Sequence, residues 1–302
     1  MDIKSYRIII EELKVSLIDL SQDLRLLMKT KRGLVGFSII VLLACMAVAS
    51  YFVPPTLLQY NANKIWLPPS LEHPFGTDFA GRDILAQIVY GSRSILISSS
   101  LTALFIILLG SFIGIISGLK GGRLDSILMF ITDTFMTIPT YPLFLIMAAN
   151  LKASLDIFTL SLILAVTSWA GLARAVRSQV ISIKTREFIE ASRILGLGTF
   201  HIVFKEILPM IRPYLVVNFL YSVLYAVNGF VGFFFLGLAP IEMSNWGVML
   251  NLAMSRGLFM LAQSWAIMYL LAPILAIFIL TIGMIFLSGG LETVFNPRLR
   301  EE

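Results

Sequence analysis

The sequence is poor in charge, in cysteine and in histidine, and each shortage removes a class of protein. Only 14% of its 302 residues are Asp, Glu, Lys or Arg, against about 25% in ordinary soluble domains. The one cysteine, Cys45, sits in an apolar run and cannot form an intrachain disulfide. The two histidines, His73 and His201, are far apart, so no Cys/His cluster has metal-ligand spacing and no metal site is expected. No GxxxxGK[ST] phosphate loop is present, so ATP must be bound by other chains if it is used at all. No apolar run holds a nucleophile beside a base, which argues against an intramembrane enzyme.

What is abundant is hydrophobic sequence, 58% of the chain, in long runs of Leu, Ile, Phe and Met. The class is an all-α polytopic membrane protein. Six runs approach the roughly 20 apolar residues that a bilayer requires: Leu34–Val53, Ser94–Gly118, Ile127–Ala149, Ile157–Ala173, Tyr214–Leu238 and Ser264–Leu287. Residues 1–33 form a polar helix with an apolar stripe at Leu13, Leu17, Leu20, Leu24 and Leu27. Residues 34–93 then make the first span and an external segment, 94–288 the transmembrane core, and 289–302 a cytoplasmic tail. No cleavable signal peptide is expected, because the first apolar run comes after more than thirty residues.

The net charge of +5 carries topology, not nucleic-acid binding. With the N-terminus in the cytoplasm, 18 of the 23 Lys and Arg residues fall inside and 5 outside. Both termini and the loop after the fourth span are then cytoplasmic. Outside lie Pro54–Arg93, with His73-Pro74-Phe75-Gly76-Thr77-Asp78 and Gly81-Arg82-Asp83, and Ala239–Gln263, with Glu242. Asp78 and Asp83 are candidate helix caps. Trp66 and Trp246 are candidate interfacial anchors. Asp78, Arg82, Asp83 and Glu242 are candidate contacts for an external protein.

The most specific stretch is Glu187–Pro209. Phe188, Ala191, Ser192 and Leu195 recur at helical spacing. Glu190 can pair with Arg186 or Arg193. Gly196 ends that helix as a left-handed residue. Gly198 bends the chain again, and Thr199 can cap a second short helix that Pro209 limits. The expected product is a compact knob whose apolar stripe seeks a protein groove.

Glu190-Ala191-Ser192, Gly196 and Leu208-Pro209 have the spacing of the "EAA" loop of permease subunits of binding-protein-dependent ABC importers. His73–Leu96 resembles the external segment of the oligopeptide/dipeptide family, C-type subunit. Gly122–Leu145, with Asp125, Asp133 and Pro139, and Trp169–Pro209, with Ala173-Arg174 and Arg177, extend the resemblance over nearly the whole chain. It departs at Ser192, the third EAA position, at Glu206, where the loop consensus has Ile, and at Phe130, where relatives often have Arg. The resemblance implies a type I ABC importer transmembrane fold of six helices in the cell membrane. It implies a second homologous permease, two ATPase subunits carrying ATP and Mg, and an external binding protein. Glu187, Phe188, Glu190, Ala191, Ser192, Gly196, Leu208 and Pro209 would couple to the ATPase. The cargo would be peptides, with oligosaccharides or nickel chelates as the alternatives. An ion-coupled secondary transporter is the rival class. Asp133, the only acidic residue in a predicted span, would then be its functional group. Asp133 and Pro139 are candidate pathway or gate residues; otherwise Asp133 pairs with Arg123 or Arg174.

Overall fold

The computed structural model describes residues 22–139, 142, 143, 146, 156–237, 244–257 and 264–296. Among these the regular structure is helical, with one isolated β-bridge between Thr77 and Asp83. Helix α1, Lys31–Ala49, starts where Thr30 accepts from the Gly33 amide at 3.0 Å. Before it, residues 22–29 are helical, and the remainder of the expected N-terminal helix lies outside the described residues. Helix α2, Ile84–Lys120, runs 37 residues, well beyond the predicted second span, because the Asp83 carboxylate caps its first turn at the Ala86 amide, 2.6 Å away. Helix α3, Gly122–Thr137, has 16 residues, fewer than the roughly 20 a bilayer requires. Pro139 excludes Ile138 from helical geometry (φ −75°, ψ 121°), so the predicted third span is interrupted there. Most of its second half lies outside the described residues.

Helix α4, Ile157–Lys184, begins at an Asp156 cap. It continues eleven residues past the predicted end of the fourth span, at Ala173, and carries Arg174, Arg177 and Lys184 on that extension. Short α5, Glu187–Ile194, follows. A helical turn at Thr199–His201, a π turn at Ile202–Ile207 and α6, Leu208–Phe235, then run on without a break. Helix α7, Trp246–Ser255, is short, and α8, Ile267–Phe295, carries helix into the residues expected as a tail. Five of these stretches are long and apolar enough to cross a membrane: Lys31–Phe52, Ile84–Lys120, Ile157–Lys184, Thr199–Phe235 and Ile267–Phe295.

Two seams hold the bundle. Helices α2 and α4 run parallel in the most extensive contact of the fold, and the Ser161 hydroxyl of α4 donates to the Ser98 carbonyl of α2 at 3.1 Å. Helices α1 and α8 pack antiparallel, with Gly33 against Gly290 and Gly36 against Leu287. Where both partners face hydrocarbon there is little hydrophobic gain, so close approach through small residues supplies the attraction. Trp246 corrects one expectation. It is fully buried and donates from Nε1 to the Ile88 carbonyl at 3.0 Å, so it locks α7 onto α2 instead of resting at a lipid interface. Trp66 is half-buried against Phe79, and its carbonyl accepts from Trp265 Nε1 at 2.9 Å.

Candidate coupling site and translocation face

The Glu187–Pro209 stretch folds as a knob at one end of the bundle. Helix α5 ends in a Schellman turn, in which Gly196 N–H donates to the Arg193 carbonyl and Leu197 N–H to the Ser192 carbonyl, each at 3.0 Å. Gly196 takes φ +75°, as its position in the motif requires. Gly198 and not Thr199 is the residue that precedes the next helical turn; Thr199 is already inside it.

Pro209 does not limit the second helix. The π turn ahead of it loosens the hydrogen-bond register, and the Leu208 amide reaches back five residues to Val203. Proline has no amide to donate, and the register shift of the π turn accommodates that missing bond inside the continuous helix. The second half of the knob, from Thr199, is therefore continuous with α6 as one membrane-length stretch.

The inward face of the knob is Ile189, Ser192, Ile202 and Ile207, packed with Ile183 of α4. Ser192 thus leaves the stripe expected to include it. Its hydroxyl donates to Glu206 Oε1, which ties α5 to the π turn and gives Glu206 a structural place. The outward face is Phe188, Ala191, Ile194 and Leu195, extended by Phe200 and Phe204, whose rings lie 4.3 Å apart. Ile194 is 86% exposed and Leu195 and Phe200 75%. Glu187 and Glu190 are exposed beside this patch, Leu208 is half-buried and Pro209 exposed. Among the described residues no ion pair joins Glu190 to Arg186 or Arg193. Arg186 has extended backbone ahead of the helix, so it does not share the helical spacing.

Behind the knob, Asp125 of α3 and Arg177 of α4 form a bidentate pair. Nε to Oδ1 and Nη2 to Oδ2 are both 2.6 Å, and the Ser117 hydroxyl also donates to Oδ1. The Arg177 guanidinium holds the Asp125 carboxyl below the usual carboxylate range, against an opposing contribution from burial and with help from Ser117. A depressed folded-state pKa means that the pair stabilises above the unfolded-state value, about 3.9, and loses its contribution as pH falls through the folded one. Asp125→Asn is accordingly expected to lower the melting temperature at pH 7, by the roughly 1.5–3 kcal/mol of hydrogen bonds to a charged group. The gap to wild type should close towards pH 3. Thermal melts of the detergent-solubilised protein at both pH values check this.

Nearby, Arg174 pairs with Asp133, both about half exposed at 51% and 55% of their side chains. Pro139 is exposed just beyond Ile138. Ile138, Phe135 and Met136 line one wall of a cavity of about 350 Å³ between α3, α4 and α6.

At the opposite end, the segment before α2 is a hydrogen-bonded cap. Asp78 accepts from Arg82 Nε at 2.9 Å, Arg82 Nη2 at 2.6 Å and Gln87 Nε2 at 3.0 Å, and from the amides of Ala80 and Arg82. His73 Nδ1 lies 2.8 Å from Asp83 Oδ2, and its Nε2 lies 3.2 Å from Lys64 Nζ. A protonated lysine can only donate, so Nε2 accepts and Nδ1–H is the donor to Asp83. Asp78, Arg82 and Asp83 are buried, at 0%, 3% and 3% exposure. These side chains shape the segment and do not themselves offer a surface to another protein. Glu242 lies outside the described residues.

Residues 110–301 match a family model described as binding-protein-dependent transport system inner membrane component. The chain belongs to that family. It is 33% identical over 280 residues to the dipeptide transport system permease protein of Bacillus subtilis, covering 91% of this chain and 85% of the relative. It is 33% identical over 278 residues to that organism's oligopeptide transport system permease protein, covering 90% and 87%. The nickel transport system permease protein of Escherichia coli is also similar, at 33% over 270 residues, 87% of this chain and 93% of the relative. As a member of this permease family the chain is a multi-pass membrane protein and a transport subunit. Membership in a binding-protein-dependent system displaces the ion-coupled reading of Asp133, which stands as half of an exposed ion pair. The α6 polar residues that line the cavity were not singled out from sequence. Their signal is Asn218, Tyr221 and Tyr225, three or four residues apart in an apolar run.

Proposed function

We propose that this permease carries peptides inward from an external binding protein, driven by ATPase subunits that dock on the Glu187–Pro209 knob. The observation that carries the reading is the knob's outward face. Ile194, Leu195 and Phe200 are exposed at the end of the stretch continuous with α6, beside a glycine-ended helix and the acidic pair Glu187 and Glu190. An apolar helical face of this kind fits a groove in a partner protein, and the partner that a binding-protein-dependent permease needs is the one that hydrolyses ATP. ATP and Mg then belong to two ATPase subunits, and a second homologous permease completes the pathway. The peptide assignment rests on the dipeptide and oligopeptide relatives. Asp133 and Pro139 would lie along the route. Copurification of the ATPase with the intact permease, and its loss on Leu195→Asp with Ile194→Asp, tests the docking. An ATPase that stays bound to the double variant would overturn it.

The cap end faces the binding protein in this reading, with both chain termini in the cytoplasm. Because Asp78, Arg82 and Asp83 are inside the cap, the contact falls to exposed neighbours such as Tyr60, Leu71 and Glu72. A photocrosslinker at Leu71, which is fully exposed, is expected to capture the binding protein, whereas one at buried Asp78 is not. A cysteine at exposed Asn63 should react with an impermeant maleimide in whole spheroplasts. Reaction only after the membrane is opened from the cytoplasmic side would reverse the topology.

A further inference from the structure

We propose that the concave polar face made by Thr167 and Ser168 of α4 and Asn218, Tyr221, Ser222 and Tyr225 of α6 contacts the cargo, and that it binds the uncharged backbone of an extended peptide. The proposal deepens the peptide-import reading and rests on it. These six side chains line the cavity of about 350 Å³ between α3, α4 and α6. On α6 they follow a helical stripe, so one face of a membrane-length helix is polar for two turns or more. Tyr221 and Tyr225 are 45% and 41% exposed.

The rest of the molecule shows what its lipid-facing surface is made of. Phe112 and Leu108 on α2, and Leu275 and Phe278 on α8, are between 54% and 65% exposed, and all are apolar. Thr167 and Ser168 donate to the Leu164 carbonyl, but on a hydrocarbon-facing surface the Tyr225 hydroxyl and the Asn218 amide oxygen would be left without partners. The cavity wall is therefore built for water or for a polar occupant.

The ionised neighbours favour water over a packed second helix. The half-exposed Asp133–Arg174 pair lies one turn beyond Gly171, on the same face of α4 as Thr167. Glu292 of α8 accepts from the Tyr221 hydroxyl at 3.0 Å and lines an adjoining cavity that shares Asn218 and Tyr221. Charges in this setting need solvent.

The donor set then selects the class of cargo. The lining of the 350 Å³ cavity has hydroxyls, one carboxamide and two phenol rings and no ionised side chain, whereas the larger adjoining cavity, about 470 Å³, carries Glu292. Asn218 donates from Nδ2 to the Tyr214 carbonyl at 2.9 Å, which leaves its amide oxygen to accept from a cargo N–H. No described residue bonds the Tyr225 hydroxyl, which can donate to a cargo carbonyl. Gly171, with nothing within 4 Å of an added Cβ, leaves room for side chains of differing size. Such a wall pairs with peptide N–H and C=O groups, which every sequence offers.

The test uses the reconstituted complex with its binding protein and ATPases. Cys45→Ser leaves the chain without cysteine, and single cysteines then replace Asn218, Tyr221, Tyr225 or Phe278. A charged, impermeant methanethiosulfonate is expected to modify the three stripe positions and not Phe278, and tri-alanine should slow that modification. In the native background, Tyr225→Phe and Asn218→Ala should each raise the KM for tri-alanine uptake roughly five- to tenfold, the loss of one neutral hydrogen bond. Phe278→Leu, outside this face on α8, should leave that KM unchanged. Unreactive stripe cysteines in a complex whose ATPase still responds to the loaded binding protein would show a face packed against another chain. That result overturns the proposal and leaves the importer reading standing. Protection by a nickel chelate and not by tri-alanine overturns the peptide assignment. A complex whose ATPase never responds to a binding protein overturns both readings together.

Discussion

Leucine at Gly114 is expected to leave almost no folded protein in the membrane. Gly110, Gly114 and Gly118 of α2 are spaced by four and face α4. A Cβ added at Gly114 would lie 2.6 Å from the Ala173 carbonyl oxygen and 2.8 Å from Val176 Cβ. At Gly110 the nearest atom is Leu172 Cδ2, 2.9 Å away, whereas at Gly118 Val180 Cβ lies at 2.8 Å and the Arg177 carbonyl oxygen at 3.0 Å. The distinction decides the ranking. A leucine end can rotate away, whereas a helix carbonyl moves only if the helix moves. Ordinary overpacking costs about 1–3 kcal/mol; here a whole side chain must enter the seam on which the bundle depends, so the loss should exceed that range. Gly114→Ala should be intermediate and Gly110→Ala milder. Gly171→Ala, with open space around its Cβ, should be near wild type in yield. Monodisperse yield by fluorescence-detected size exclusion measures all four. Wild-type yield for Gly114→Leu would mean that α2 and α4 do not meet along this face.

Hydropathy and helical spacing located the membrane-crossing stretches because lipid imposes a length and a composition that no other environment does. Their ends were less legible. Helices α2 and α4 run on past the apolar runs, since capping by Asp83 and the basic extension through Lys184 govern where helix stops, and hydropathy does not register either. Pro139 and Pro209 look alike in sequence but act differently. Pro139 follows a residue forced into extended backbone and interrupts a span. Pro209 follows a π turn and sits in a helical first turn.

Burial of polar residues was the least legible feature. Asp78, Arg82 and Asp83 read as surface charges because nothing local shows that Arg82 folds back on Asp78 and that His73 reaches Asp83 across ten residues. Ser192 shares its spacing with an exposed stripe. Only Glu206, fourteen residues on, turns it inward. For His73 with Asp83 and for Ser192 with Glu206 the deciding partner is ten or more residues away and polar, where periodicity carries no information.

Valine at Gly196 is expected to cut binding-protein-stimulated ATP hydrolysis at least tenfold while the permease stays folded. Nothing lies within 4 Å of a Cβ built there, so the substitution meets no clash and acts only through backbone conformation. A non-glycine residue in the left-handed region costs roughly 1–2 kcal/mol, and more when it is β-branched. The Schellman turn can relieve that strain by opening, which releases the Gly196 and Leu197 amides and re-aims the exposed Ile194 and Leu195. The inner face, held by Ile189, Ile202 and Ile207, stays packed. The knob would then remain attached to α6 while presenting a misaligned surface, so a small local strain becomes a large functional loss. Asparagine tolerates this backbone region several-fold better than other side chains, and Gly196→Asn should restore most of the stimulation. Glu190→Ala, at the exposed rim, should lower ATPase affinity only a fewfold. ATPase pull-down and stimulated hydrolysis in the reconstituted complex read both effects. Equal hydrolysis by the valine and asparagine variants would show that left-handed backbone at Gly196 plays no part in coupling.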